Sequence, residues 1–150
     1  LAGIGINITS IWDLVNTKAK YPHAITYLLK YLPMVTYERN KEGIIRALTV
    51  SEAKGVAIPV LLNEYLKLPK EKENLRWIIG NAVNVIATKN DVETIIPIVL
   101  DKENGLSRQM FVSALGKIKN EKIKNVLLQL INDDDKVIRD EAQKVLKKFK

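Results

Sequence analysis

The chain has 150 residues, 47% of them hydrophobic, enough to bury one sizeable core, and no composition shift divides it. Its net charge is +7, and 19 of its 24 cations are Lys, which fits solvated helix faces better than an Arg-rich nucleic-acid stripe. It has no Cys, which excludes disulfide staples, thiolate metal sites and cysteine nucleophiles, and no apolar run has the length of a membrane span.

Ser10 and Asp13 frame the first helix, which the spacing of Ile11, Trp12, Leu14 and Val15 carries towards Lys20 before Tyr21-Pro22 stops it. Trp12 is expected in the core. A helix from His23 to Leu32 stops near Pro33 and pairs with another from Asn40 through Ile44, Ile45, Ala47 and Leu48. Val56–Leu66, a polar turn over 67–73 and Asn74–Ala87 make the next pair. Asn90 with Glu93 forms a capping pattern for a helix that ends at Asn104-Gly105, and its partner starts at Ser107. The last pair runs Glu121–Ile131 and Lys136–Phe149 across Asn132 and three Asp residues. No β-hairpin signal is present, so the expected class is all-α.

These pairs repeat one phrase. Ala24-Ile25-Thr26-Tyr27-Leu28-Leu29 is echoed by Ala57 to Leu62, Ile95 to Leu100 and Ile123 to Leu128, each followed by a segment with an Ala-Leu-like pair. Units of about 30–38 residues that cannot bury an apolar face alone must stack on one another. Aligning the second segments on Ala47-Leu48, Ala82-Val83, Ala114-Leu115 and Val145-Leu146 places a cation six residues before each pair, at Lys41, Arg76, Arg108 and Arg139.

In this the chain resembles the HEAT repeat family, in the short form first described in phycobilin lyases: an apolar first helix with a proline, an acidic turn, then Val-Arg and a run of Ala and Leu. Asp134 to Ala142 and Arg108 to Gly116 match best, and the first repeat, where Lys41 replaces Arg, matches least. The resemblance implies a right-handed α-solenoid of about four hairpins (22–50, 51–88, 89–119, 120–150) after an N-terminal helical segment, 1–21. It also implies that Pro59 and Pro97 kink the first helices and that the repeated cations, as structural residues, brace turn acids of their own or an adjoining repeat.

Catalytic signals are thin, and the expectation is that the chain is not an enzyme. His23 is the sole histidine, so neither a histidine triad nor a multi-histidine metal site is available. Asp133, Asp134 and Asp135 lack the alternation and the Gly of a calcium loop and read as turn and N-cap acids. No phosphate-binding Gly loop occurs, and no cofactor is expected. The opening segment lacks the basic start and the length of a signal peptide, which points to the cytoplasm, while the missing initial Met reads as a trimmed or processed piece.

If the second helices line a concave groove, as the resemblance implies, the residues opposite their apolar seam face it. These are Glu42, Arg46 and Thr49; Trp77, Asn81 and Asn84; Gln109, Ser113 and Gly116; and Asp140, Lys144 and Lys147. Trp77 stands out as an anchor for a protein or peptide partner, and the competing reading folds it onto the next repeat as core. The expected function is a scaffold that binds such a partner in the groove. Nucleic-acid binding is the alternative, suggested by the charge and by the HEAT-fold DNA-repair glycosylases, although Asn81 stands where their carboxylate would be sought.

Overall fold

The computed structural model describes residues 1–149, so Lys150, which ends the expected fourth repeat, lies outside the described residues. The described chain is 73% helical, has no strand, and comprises nine α-helices joined by 3-10 turns. No described helix is long and apolar enough to cross a membrane.

Helix α1 (Ile11–Asn16) opens on a complete capping box. Ser10 Oγ accepts from Trp12 N, and the Asp13 carboxylate accepts from Ser10 N at 3.0 Å, so two otherwise unpaired amide groups are satisfied. The helix is shorter than its apolar spacing suggests. Thr17 turns extended and its hydroxyl accepts from Ala19 N, a local bond that competes with the next helical turn. Trp12 is half-buried, with the Arg39 guanidinium 5.7 Å from its ring centre.

Helix α2 (Pro22–Tyr31) uses Pro22 in its first turn and passes into a 3-10 turn at Leu32–Met34. Helix α3 (Glu38–Ala47) follows. In α4 (Ile58–Lys67), Pro59 also stands in the first turn, where its missing N–H would have had no helical partner, so the expected mid-helix kink at Pro59 is not there. Helix α5 (Glu73–Ile86) buries Leu75, Ile78, Ile79, Ala82, Val83 and Ile86, the i, i+3, i+4, i+7 stripe of an amphipathic helix.

The third pair departs most from expectation. The cap before α6 (Val92–Leu100) comes from Thr88 and Asp91 rather than Asn90 and Glu93: Asp91 Oδ2 accepts from Thr88 N at 2.7 Å, and Thr88 Oγ1 accepts from Asn90 N. Pro97 does stand inside α6, which ends at Leu100 rather than at Asn104. A 3-10 segment, Lys102–Arg108, then bridges to α7 (Gln109–Leu115). It is broken at Gly105, whose φ of 56° and ψ of −143° suit a residue without Cβ. Asn120 caps α8 (Glu121–Leu130), Asp135 caps α9 (Lys136–Leu146), and a 3-10 turn carries the chain to Phe149.

Packing follows chain order except at the start, where α3 packs on α1 more than on α2, the partner its spacing suggests. Helix α4 lies on α5, α6 on α7 and α8 on α9, while α3, α5, α7 and α9 each touch the next in turn. One contiguous cluster of buried apolar side chains runs from Leu14 to Val145. Where α5 meets α7, Gly80 admits the ring of Phe111, which stacks edge-on against Tyr65 with centres 4.8 Å apart.

Candidate interaction surface

The repeated cations hold the helix pairs to one another. Lys41 Nζ, on α3, donates to Glu64 Oε2 of α4 at 2.7 Å. Arg76, on α5, donates to Asn104 Oδ1 at 2.7 Å and to the carbonyls of Tyr65 and Leu68, with its guanidinium 4.0 Å from the Tyr65 ring centre. Arg108, just before α7, reaches Asp133 with both terminal nitrogens, at 2.7 and 2.9 Å, and also donates to Val99 O and Gly105 O. In all three cases a side chain of the following pair accepts the bond. Arg139 instead closes its own turn on the carbonyls of Asp133 and Asp134.

Arg76 and Arg108 are 2% exposed, so their charges are fully desolvated and depend on these partners. The Arg108 hydrogen bond, against the opposing effect of burial, holds the Asp133 carboxyl below its ordinary value. The triple-Asp turn therefore divides its work: Asp133 receives Arg108, Asp135 Oδ1 caps α9 at Val137 N, and exposed Asp134 pairs with Lys102. No described group of three acidic or His side chains could hold a metal ion.

Next to Arg76 on α5, Trp77 is 37% exposed and lines a depression of about 380 Å³. Leu106 from the 3-10 segment and Val137 from the first turn of α9 share it, 41% and 37% exposed, with Glu73, Asn74 and Gln109 at its edge. Three successive helix pairs thus contribute an exposed apolar side chain to one hollow. Gln109 is the residue of the expected stripe that joins Trp77 there.

The rest of that stripe is dispersed. Glu42 and Arg46 pair with each other along α3 at 2.7 Å and do not line the Trp77 hollow. Asn81 and Asn84 are half-buried further along α5; the Asn84 carbonyl accepts from Lys117, and its side-chain oxygen is buried without a described partner. Ser113 donates to Glu141 at 2.5 Å, and Lys144 approaches the same carboxylate at 3.4 Å, so these two face a buried acid. Asp140 pairs with Lys136 in the open. His23 is exposed in the first turn of α2.

Leu106 and Val137 lie outside the stripe that helical spacing predicts, yet the repeat register contains them. Both stand eight residues before their Ala-Leu-like pair, the position of Asn74 in the second repeat and one turn before Trp77. Comparison with protein-family models, curated proteins and solved structures gave no match.

Proposed function

We propose that the chain is a non-catalytic α-solenoid of HEAT-like hairpins, stacked in the right-handed sense, that works in the cytoplasm and binds a protein or peptide on the face of its second helices. The observation that carries this is the convergence of Trp77, Leu106 and Val137 on one hollow rimmed by Glu73, Asn74 and Gln109. Apolar side chains exposed together inside a polar rim are the usual surface of a protein contact, and Trp is favoured at its energetic centre. Two further features support stacking: α3, α5, α7 and α9 pack in succession, and each cation before α9 bonds to the pair that follows it.

The test is a pair of variants, Trp77→Ala and Leu106→Ser, compared with wild type for folding and for retention of the protein that wild type captures from its own cell extract. Both side chains are more than a third exposed, so each change should cost less than the roughly 3–5 kcal/mol of a core Trp deletion. Loss of the captured protein at unchanged stability supports the reading. Retention by both variants refutes it.

One observation favours nucleic acid as a second reading. Lys54 and Lys148 lie near enough to Lys117 that their charges, added to the larger effect of burial, lower its pKa, and none of the three is ion-paired to a described carboxylate. A phosphate backbone would relieve that repulsion. Binding to duplex or single-stranded DNA that falls log-linearly with salt would favour it, and no affinity at physiological salt would exclude it.

A further inference from the structure

The other helices of the pairs leave a groove of their own. Helix α6 packs on α8 but makes little contact with α4, and between α4 and α6 lies an open groove of about 750 Å³, roughly twice the Trp77 hollow. Ile58, Leu62 and Leu66 recur every fourth residue on one side of α4 and line it, with Pro97 and Ile98 of α6 across from them. Ile58, Leu62 and Ile98 are buried beneath, but Leu66 is 68% exposed, a large apolar side chain with nothing over it.

The charge of this groove opposes that of the molecule. The chain carries +7, yet the titratable residues lining the groove are Asp91, Glu93 and Asp101. Glu93 is paired with Lys122 of α8, whereas Asp91 and Asp101 form no ion pair with a described residue. Each of these two uses one oxygen for capping, Asp91 Oδ2 towards Thr88 and Asp101 Oδ1 towards Glu103 N, leaving Asp91 Oδ1 and Asp101 Oδ2 without a described donor. Pro97 adds a third acceptor, since a residue without an N–H leaves the Glu93 carbonyl without its helical donor.

The two free acids stand at opposite ends of α6, ten residues apart, or about 15 Å at the rise of an α-helix. An apolar trough with an acid at each end has the form of a site for an amphipathic helix. We propose that the α4–α6 groove docks a helix of a protein partner, with its apolar stripe against Leu62, Leu66 and Ile98 and a Lys or Arg about three turns apart at Asp91 and Asp101. This surface uses different α-helices from the Trp77 hollow, sharing with it only the 3-10 segment, through Asn104, and its occupancy does not depend on the function proposed for that hollow.

Three fluorescein-labelled synthetic helices of about 18 residues, measured by anisotropy against the intact protein, test it. One carries a Leu stripe with Lys at positions i and i+11, one has Glu at both of those positions, and one has the two Lys five residues apart. The spaced Lys peptide should bind, and each of the others should bind at least about tenfold more weakly. The Glu peptide is the sharpest comparison, because the overall +7 charge by itself attracts the acidic peptide. Leu66→Ser, at a residue too exposed to matter for folding, should weaken the Lys peptide about tenfold. Asp101→Asn, which keeps an oxygen for the Glu103 amide, should weaken it at least threefold, and Trp77→Ala should leave it unchanged. The proposal is overturned if the Lys peptide shows no binding to about 1 mM, if the Glu peptide binds equally well, if Leu66→Ser or Asp101→Asn has no effect, or if Trp77→Ala removes binding.

Discussion

Replacing Arg108 by Met keeps most of the aliphatic stem and removes the guanidinium. Four donated hydrogen bonds go with it: two to Asp133, one to Val99 O and one to Gly105 O. The larger effect is on what remains. The Asp133 side chain is 4% exposed, and without its partner a carboxylate would be left desolvated, retaining the Asp135 amide as a donor. Removing one member of a buried ion pair costs about 3–5 kcal/mol, more than the loss of the same number of surface bonds, because the stranded charge has neither water nor a counter-ion. For a chain of this length each kcal/mol lowers Tm by about 2–4 °C, so Arg108→Met should melt about 6–20 °C below wild type. Urea unfolding followed by circular dichroism and by fluorescence gives the free energy, and coincident curves license its two-state treatment. The double variant Arg108→Met/Asp133→Leu removes both charges and should recover at least half of the loss. If the single variant costs less than about 1 kcal/mol, or the double is no better than the single, the pair does not carry a desolvated charge and the reasoning fails.

Asp133 also sets a pH dependence. Its folded pKa lies below the 3.8 of the free group, so the unfolded chain binds the proton more readily; the stability it contributes is present above 3.8 and is lost as pH falls through the folded value. The stability gap between wild type and Asp133→Asn should therefore be widest near neutrality and shrink below pH 3.8 in urea titrations at stepped pH; a constant gap would contradict the assignment. Gly116→Ala should destabilise by about 1–3 kcal/mol in the same assay. Its φ of −64° suits Ala, but the added Cβ would meet Val145 Cγ1 and lie 3.0 Å from Val145 Cγ2, whereas Gly3→Ala, with nothing within 4 Å, serves as the neutral control.

The helices were legible because their signals are local. Ser10-x-x-Asp13, Asn120 and Asp135 each satisfy a first-turn amide a few residues away, and the apolar spacing of α8 and α9 continues directly from such starts. The third pair misled for the same reason. Asn90 and Glu93 imitate a capping pattern, but Thr88 with Asp91 stands two residues earlier and takes the chain first, and the polar run after Leu100 forms a 3-10 segment because Asp101 caps it. The candidate surface was only partly legible. Register alone singled out Trp77 and Gln109, but which polar residues meet depends on distances between helices. Ser113 looks solvent-facing by its spacing, yet it is half-buried and donates to Glu141, whose burial no single-helix pattern encodes; Lys144 stays exposed, as its spacing suggests, and reaches the same carboxylate from the solvent side.

Three of the cations six residues before an Ala-Leu-like pair, Lys41, Arg76 and Arg108, fix how one helix pair sits on the next. Apolar contact between successive helix pairs is tolerant of sliding, since Ile, Leu and Val present similar surface at several registers. A buried guanidinium is not tolerant: displaced by one turn, about 5.4 Å, Arg108 would leave both its own charge and that of Asp133 unpaired. Arg76 faces the same constraint with a neutral acceptor, so it recruits two carbonyls of its own pair and the Tyr65 ring to share the charge that Asn104 cannot neutralise. Lys41 meets it with Glu64 at a less buried site, its side chain 14% exposed. What Lys41, Arg76 and Arg108 share is position rather than burial: each places at least one bond across to the next helix pair, where register must be fixed. With the register held by these buried bonds, the neighbouring exposed surface of α5, the 3-10 segment and α9 carries no such duty, and there Trp77, Leu106 and Val137 stand exposed in one hollow.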